Sequence, residues 1–167
     1  MTETARTGTG ASEAHSRLLA DSFKRWTGQD LLALAGDYGT EGATCAASDA
    51  ELAEKLNAAP FVLLSHGTET DPVLNFGNER ALRLWEMSWT ELTSTPSRLT
   101  AEPMERAERD RFFERVTADG YVDNYTGVRI SKSGLRFYIV NATVWNLVDE
   151  QGNYCGQAAA FVDFRYL

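Results

Sequence analysis

The segment from Phe61 to Arg106, FVLLSHGTETDPVLNFGNERALRLWEMSWTELTSTPSRLTAEPMER, decides the fold because strand-like runs give way to helical spacing halfway along it. Two short apolar runs, 61–65 and 73–76, lie on either side of the turn signal Asp71-Pro72 and predict two strands. Asn78 then stands at the N-cap position of a helix whose apolar residues recur every three or four positions. The segment therefore begins as two strands and continues as helices.

Two more helices follow in the same segment. Ser88-Trp89-Thr90-Glu91 has the spacing of a capping box, in which the Ser and Glu side chains bond backbone N–H groups reciprocally, so a second helix starts there. Pro103 suits the first turn of a third helix, predicted over 101–118, because an N–H at that position has no helical partner. Glu102 and Glu105 on that helix could perform acid/base chemistry, but a solvated, ion-paired face is the simpler interpretation.

The pattern after the third helix changes to alternation with a period of two residues, which is typical of strands. It predicts three antiparallel strands over 125–131, 136–148 and 154–166, the first two joined by the turn Lys132-Ser133-Gly134. Both faces of the middle strand are rich in apolar residues, so the sheet needs a cover on each side. We expect the helices of 79–118 on one side, and the N-terminal helix or a partner subunit on the other.

Three segments make up the chain. Residues 1–11 are expected to be a disordered leader, because they are mostly Thr, Gly and Ala without periodicity. Residues 12–59 are predicted to be a helical extension with a loop, in which Ser12 caps the first helix and Gly28 ends it. Residues 60–167 are the domain itself. The predicted class is α+β, with a five-stranded antiparallel sheet, helices on one face and the N-terminal helix covering the other.

The composition argues against several classes of function. The 167 residues carry 16 Lys and Arg against 24 Asp and Glu, a formal net charge of -8, so nucleic acids are poor partners. No apolar run is long enough to span a membrane. His15 and His66 are far apart and have no neighbouring cysteine ligand, so no metal site is expected. Cys45 and Cys155 lie outside any paired motif and no secretory signal is evident, so a reduced, cytoplasmic setting is expected.

Several motifs resemble the MEKHLA domain family. They are LSHGTETDPVLNFGN at 64–78, LWEMSW at 84–89, PSRLTAEPMER at 96–106, and GVRISKSGLRFYIVNATVWNL with GQAAAF in the last strands. That family is PAS-like, and it occurs as a stand-alone bacterial and algal protein and at the C-terminus of class III homeodomain leucine-zipper plant transcription factors. The resemblance covers about residues 12–165 and implies a PAS-like sensory or regulatory module. The six-letter string that names the family is absent and no homeodomain or zipper precedes the domain, so no transcription-factor role is implied.

Neither of two common PAS cofactors is indicated by the sequence. Haem-binding PAS proteins often use a histidine on the helix before the last three strands, and residues 101–124 contain none. Flavin-photoadduct PAS proteins carry a Gly-x-Asn-Cys-Arg-Phe string, which is absent as well. The sequence therefore assigns no cofactor.

Polar residues among the aromatic residues of the last strands are the first candidates for ligand binding. Under strict alternation Asn141, Thr143 and Trp145 share one face of the middle strand, and Gln157 lies near them on the next strand. A few polar groups among aromatic side chains are what a small-molecule pocket requires. The same groups would also suit a filled core in which they bond one another or the backbone.

Three further residues complete the predicted site. Arg98 could clamp an anionic ligand, or tie its loop to Glu102 or Glu105. His66, at the end of a strand, is either a structural hydrogen-bonding residue or part of the pocket rim. Trp85, on the first helix of the central segment, suits either a pocket wall or the plain core.

Three functions stay open on the sequence alone. The first is a sensor that binds a small molecule between sheet and helices, forms a homodimer and signals to a protein partner. The second is a ligand-free protein-interaction module, which a filled interior would favour. The third is a small enzyme that uses the same cavity. No catalytic residue is predicted, because Ser65 and His66 are strand neighbours that point to opposite faces and no nucleophile elbow or P-loop occurs.

Overall fold

The computed structural model describes residues 6–36, 42–101 and 103–167, with the backbone alone for 103–106, 109 and 113. Its α-helices are α1 (Glu13–Thr27), α2 (Ala43–Ala46), α3 (Asp49–Asn57), α4 (Glu79–Trp85), α5 (Trp89–Leu92) and α6 (Pro103–Asp119). Short 3-10 helices cover Thr9–Ala11, Leu31–Ala33 and Ser97–Thr100. The side chains of the carboxylate pair considered above, Glu102 and Glu105, lie outside the described part of the chain.

The strands form one antiparallel sheet. They are β1 (Val62–His66), β2 (Leu74–Gly77), β3 (Tyr121–Ile130), β4 (Arg136–Val148), β5 (Tyr154–Phe161) and β6 (Asp163–Tyr166). The order across the sheet is β2-β1-β5-β4-β3, and β6 continues β5 beyond a bend at Val162 and pairs with β4. The predicted α+β class and the five-stranded antiparallel sheet are confirmed. Two differences are that β3 begins at Tyr121, four residues before its predicted start, and that the last predicted strand, 154–166, is divided in two.

Two hydrophobic cores lie on opposite faces of this sheet. The outer core packs against α1, α3 and the turn at Leu31–Ala33, and its buried side chains include Leu19, Phe23, Leu31, Leu52, Leu56, Leu63, Trp145 and Leu147. The inner core packs against α4, α5 and α6, and its buried side chains include Val62, Leu74, Leu84, Phe112, Val116, Phe137, Ile139 and Val144. The prediction that the N-terminal helix covers the second face is therefore confirmed.

Helix α1 is fastened to β4 by hydrogen bonds as well as by packing. Trp145 Nε1 donates to the carbonyl oxygen of Leu19 at 3.2 Å, and Trp26 Nε1 donates to that of Asn146 at 2.9 Å. The rings of Phe23 and Trp145 meet edge to face, with centroids 4.9 Å apart. The part of the outer sheet face beneath α1 is therefore buried within one chain.

Residues 1–5 of the expected disordered leader lie outside the described part of the chain, whereas residues 6–11 pack along β2 and α5. Gly10 lies so close to the backbone of Asn75 that a Cβ on it would stand 1.7 Å from the carbonyl oxygen. The carbonyl oxygen of Thr7 accepts a hydrogen bond of 3.0 Å from Trp89 Nε1. A glycine-rich run without periodicity looks unstructured by composition, yet small size is what this close approach requires.

Asn78 joins three elements through one buried side chain. Its Oδ1 accepts from the backbone N–H groups of Ala81 and Leu63, both at 3.1 Å. Its Nδ2 donates to the carbonyl oxygens of Leu56, at 3.1 Å, and Phe61, at 2.8 Å. The amide therefore caps α4 while it also holds the end of α3 and the start of β1, which goes beyond the predicted N-cap role.

The alternation of β4 shifts by one residue at Asn141, whose φ is 51°. Phe137 and Ile139 lie in the inner core, and so do Ala142 and Val144 beyond the shift. Left-handed backbone at one position turns the strand, so residues of opposite parity face the same side before and after it. The strict alternation assumed for β4 in the sequence analysis was therefore wrong from this residue onwards.

His15 lies buried between α1 and β1. Its Nε2 is 2.9 Å from Ser65 Oγ, and Ser65 Oγ donates to Asn75 Oδ1 at 2.6 Å. Because the serine proton goes to Asn75, His15 must donate through Nε2, which assigns the neutral tautomer with the proton on that nitrogen. Burial lowers the pKa of His15 to about 4.

Replacing Asn78 with alanine is expected to lower the free energy of unfolding by about 3 kcal/mol or more, because buried backbone groups of Leu56, Phe61 and Leu63 lose their partners. Urea denaturation measures the loss. The matched control is Ser88→Ala at the exposed N-cap of α5, for which a cost of about 1 kcal/mol is expected. Equal losses in the two variants would contradict the joining role of Asn78.

The buried His15 predicts a loss of stability in mild acid. Below pH 6.5 the unfolded chain binds a proton that the folded chain excludes until about pH 4, so folding weakens as the pH falls through this window. Between pH 7.5 and pH 5 the contribution of His15 is about 2 kcal/mol. His15→Gln keeps a donor and does not titrate. Its unfolding free energy is therefore expected to fall less over that range, and parallel pH profiles for the two proteins would refute this account.

Candidate ligand-binding site

A cavity of about 50 Å³ lies between the sheet and the helices on the inner side. We call it the central cavity. Most of its wall is apolar and is formed by Leu64, Leu74, Phe112, Ile139, Val144, Ala159 and Phe161. The polar part of the wall comes from Ser65, His66, Ser97, Thr100, Tyr125, Arg129 and Gln157. An apolar wall with a few polar groups is the usual composition of a small-molecule site.

A row of polar side chains crosses the sheet at one end of the central cavity. Gln157 on β5 is the register partner of His66 on β1 and of Asn146 on β4. Gln157 Nε2 donates to Asn146 Oδ1 at 2.9 Å, and Asn146 Nδ2 donates to the carbonyl oxygen of Val116 at 3.1 Å. Because that carbonyl can only accept, the two bonds orient both amides. Gln157 Oε1 is left as an acceptor without a bonded donor in the described part of the chain.

Arg129 on β3 is the buried cation of the site, with 7% of its surface exposed. Its Nη1 donates to the carbonyl oxygen of Val128 at 2.8 Å, and its Nη2 donates to Tyr125 Oη at 3.2 Å. The guanidinium lies 5.2 Å from the centre of the Tyr125 ring, which in turn lies 4.0 Å from the ring of Phe112. These contacts direct the arginine along the inner face of the sheet instead of into solvent.

Trp85 forms the opposite wall at the end of α4. Its ring meets Phe137 and Phe161 edge to face, with centroid distances of 5.3 Å and 6.3 Å. Its carbonyl oxygen accepts a hydrogen bond of 3.1 Å from the backbone N–H of Lys132 in the β3–β4 turn. The ring is therefore held between the sheet and this turn.

Glu86 strengthens the same junction. Its carboxylate accepts from Ser131 Oγ at 2.6 Å and from the backbone N–H of Ser133 at 3.2 Å. Hydrogen bonds from the side chains of Ser131 and Ser133 lower the pKa of Glu86 below its usual value. Its carboxylate is therefore an anchor for the turn that holds Trp85.

The surface next to the polar row is open. A cleft shares His66, Ser97 and Gln157 with the central cavity and has Asp110 and Glu114 of α6 on its rim. His66 Nδ1 lies 2.9 Å from the carbonyl oxygen of Gly67, which holds the ring at the boundary between cleft and cavity. His66 thus combines the two roles considered for it, a structural hydrogen bond and a rim position.

The structure brings three of the predicted site residues together at the central cavity. His66, Trp85 and Gln157 all line it. Trp85 is at the same time a member of the inner core, so its two interpretations, pocket wall and core, describe the same position.

The other four predicted residues lie away from the cavity wall. Asn141 is exposed at the shift in β4, and Thr143 is buried without contributing to the wall. Trp145 faces α1 in the outer core, because the shift at Asn141 reverses the alternation. Arg98 is exposed and pairs with Asp71 at 3.1 Å, so it ties its loop to the β1–β2 connection.

Residues that the sequence analysis did not assign to the site include Tyr125, Arg129 and Asn146. Arg129 had a usable signal, since it lies four residues after Tyr125 on the same face of an alternating strand, between the apolar residues Val128 and Ile130. Asn146 had no such sequence signal, because its side chain faces the inner core only as a result of the shift at Asn141. Local pattern alone could therefore have added the arginine but not the asparagine.

Within 6–36, 42–101 and 103–167, no three His, Cys, Asp or Glu side chains are grouped so that they could hold a metal ion. None of the helices described there has the length and apolar character needed to cross a lipid bilayer.

Known structures with this arrangement of strands and helices are PAS domains. The PAS domain of a Colwellia psychrerythraea protein superposes with a TM-score of 0.58 at 12% identity, over 69% of this chain and 92% of that one. An RNA-binding light-oxygen-voltage receptor gives 0.55 at 16% identity, over 67% of this chain and 31% of that one. The light-state dimer of the fungal blue-light photoreceptor Vivid gives 0.51 at 17% identity, over 60% and 76%. Identities this low show the fold alone, and the fold is PAS-like.

The family follows from the sequence comparison. A family model of the MEKHLA domain matches residues 13–166. The chain therefore belongs to the MEKHLA domain family, as its motifs indicated, and the match includes the N-terminal helix that covers the outer face. A search of curated protein sequences found no significant match.

Removing the Gln157 amide tests the polar row. Gln157→Leu leaves buried Asn146 Oδ1 without its donor and is expected to lower the free energy of unfolding by about 1–3 kcal/mol. Asn141→Gly is the control, because glycine accepts a φ of 51° without strain and the position is exposed. It is expected to change stability by less than about 1 kcal/mol. Thermal unfolding of both variants measures these changes. A Gln157→Leu protein with the stability of the unsubstituted chain would contradict the hydrogen bonds described for the polar row.

Proposed function

We propose that this chain is a PAS-like sensory or regulatory module that binds a small molecule in the central cavity. The observation that supports this proposal is the central cavity, which lies between the sheet and the helices and has an apolar wall with buried polar groups at both ends. Such a wall can orient a ligand through its polar atoms while it removes apolar surface from water. The PAS-like fold supports a sensory role by analogy, and the site supports the binding.

The signal would leave the domain through elements that contact the cavity and the surface together. Trp85 lines the cavity, and its backbone is bonded to the β3–β4 turn. A ligand that binds one arrangement of this wall more tightly than another shifts the balance between them. A protein partner that contacts this turn would receive the change.

A ligand-free protein-interaction module is the second candidate. One observation favours it, since about 50 Å³ is small beside the several hundred Å³ of common ligand pockets. Under this interpretation the polar row and the aromatic residues are part of a filled inner core. An enzyme that uses the same cavity is the third and least supported candidate. Ser65 lines the cavity and contacts His15, but its hydroxyl donates to Asn75 and accepts from His15, so the histidine is not placed to act as its base.

The proposal includes a homodimer in a reduced, cytoplasmic setting. Tyr138 and Val162 are apolar groups left exposed on the last strands, at 36% and 42%. Vivid, with the same fold, forms a light-state dimer. Cys45 and Cys155 are free thiols, which suits a reducing compartment.

Mass spectrometry of one native preparation tests the binding proposal. We expect a co-purifying small molecule that is present under native conditions and lost on denaturation. Gln157→Leu is expected to reduce its occupancy, whereas Asn141→Gly, outside the cavity, leaves it unchanged. A protein without added mass, and without a change in Tm across a library of small metabolites, would favour the interaction module.

Light scattering coupled to size exclusion tests the dimer. We expect twice the chain mass of 18.5 kDa at micromolar concentration, and a shift towards the monomer in Tyr138→Glu. Leu99→Glu, which changes an exposed leucine away from these strands, is the control. A monomer at every concentration would rule out this part of the proposal.

A further inference from the structure

The charge of Arg129 has no counterion among the residues that the structure describes. The ion pairs of the described residues include Arg17–Asp49, Arg98–Asp71 and Lys132–Glu91, and no described acidic side chain pairs with Arg129. Arginine is almost never buried to this degree without a partner, because removing a charge from water is costly. Tyr125 offers only a ring face and a hydroxyl oxygen. The site therefore contains a buried positive charge that no described acidic side chain neutralises.

Unused hydrogen-bond donors accompany this charge. The guanidinium has five N–H donors, and its described bonds go only to Val128 and Tyr125. These two hydrogen bonds leave three N–H donors of the guanidinium available for another acceptor. Planar, two-pronged donation of this kind matches a carboxylate.

Trp85 adds a second unmet donor to the same wall. The indole N–H groups of Trp26, Trp89 and Trp145 each donate to a backbone carbonyl oxygen. Trp85 Nε1 is buried and has no acceptor among the described residues, which distinguishes it from the other three. Trp85 and Arg129 are both neighbours of Phe137. The Trp85 ring contacts the Phe137 ring, and Arg129 is paired with Phe137 across β3 and β4. The cavity wall thus has an excess of donors where a ligand would lie.

The size of the cavity limits the ligand. About 50 Å³ holds roughly four water molecules, which corresponds to a molecule of about four to six non-hydrogen atoms. A nucleotide, a flavin or a haem is far larger. A short-chain carboxylate has the required size, and its alkyl part matches the apolar remainder of the wall.

The surroundings at the arginine end also favour an anion. A surface cleft there shares Phe112 and Tyr125 with the cavity and has Arg111 and Arg115 beside Glu108 on its rim. The cleft at the other end has Asp110 and Glu114 instead. An anion is attracted to the first cleft and repelled from the second.

From these observations we propose that the central cavity binds a small monocarboxylate, whose oxygens accept hydrogen bonds from the Arg129 guanidinium and from Trp85 Nε1. This inference rests on the proposed small-molecule site and names the class of its ligand. The carboxylate supplies the missing negative charge, and its short alkyl chain lies against the apolar wall.

Nuclear magnetic resonance of the full chain tests the proposal with acetate and propionate. Acetamide and propionamide are the matched neutral controls, because they have nearly the same shape without the charge. We expect the carboxylates to shift the indole N–H signal of Trp85 in a saturable manner and to leave those of Trp26 and Trp145 unchanged. Trp85→Phe assigns the signal. The amides are expected to have no effect.

Variants of the arginine give the second readout. Arg129→Met is expected to weaken carboxylate affinity by about tenfold to a hundredfold, because the charged bonds are lost. It is also expected to raise the Tm of the ligand-free protein, since an unpaired buried charge is removed. Arg129→Lys retains the positive charge but lacks the planar, two-pronged donor group of the guanidinium, and it is expected to bind with intermediate affinity. Arg98→Met, at an exposed arginine outside the cavity, is the control and leaves affinity unchanged.

The outcomes separate this inference from the function on which it rests. Equal binding of amides and carboxylates, full affinity in Arg129→Met, or an unmoved Trp85 signal would overturn the carboxylate assignment. A neutral molecule retained in native mass spectrometry would overturn it as well while supporting the small-molecule sensor. A cavity that accepts neither carboxylates nor any other small molecule would overturn both.

Discussion

The buried amide of Asn78 is the constraint on which the rest of the structure depends. It bonds the end of α3, the start of β1 and the first turn of α4 at once, and both its oxygen and its nitrogen are fully used. The path of the chain from outer layer to sheet to inner layer is set at this residue. Because unmet backbone groups in a protein interior are costly, few other arrangements of these three elements could satisfy the same groups. The position of Trp85 at the far end of α4, and with it one wall of the cavity, follows from that start.

A second constraint decides which side chains meet the cavity. Asn141 takes left-handed backbone in the middle of β4, and the paired chain bends at Val162 between β5 and β6. Both strands reverse their alternation there, so Phe161 and Phe164 reach the inner core from positions of opposite parity. The consequence for the site is direct. Trp145 moves to the outer core and bonds α1, while Asn146 turns inward to join Gln157 and α6.

Stability and binding make opposite demands at the inner face. An apolar residue at position 129 would suit the core better than a guanidinium that no described carboxylate compensates, because burial of a lone charge opposes folding. Retaining the arginine is understandable if its counterion arrives as a ligand, since binding then recovers what folding loses. Binding of a ligand to the folded state also stabilises that state, by an amount that grows with the logarithm of the free ligand concentration relative to Kd. The surrounding aromatic contacts of Tyr125, Phe112 and Trp85 keep the site in place while it is empty.

The local signals of the sequence determined much of this protein. Caps at Ser12, Asn78 and Ser88, turns at proline and glycine, and period-two strands give the elements, their order and an α+β sheet covered on both faces, because such signals act over a few residues. The family motifs added the PAS-like arrangement. Three of the seven predicted site residues, His66, Trp85 and Gln157, meet at the cavity. The positions of the other four predicted residues were decided by tertiary structure. The face that a strand residue presents depends on a backbone turn such as that at Asn141, and the partner of Arg98 is an aspartate distant in the sequence. Burial of Arg129 without a counterion in the described part of the chain is likewise a property of the packed chain, since it exists only once β3 lies beneath the helices.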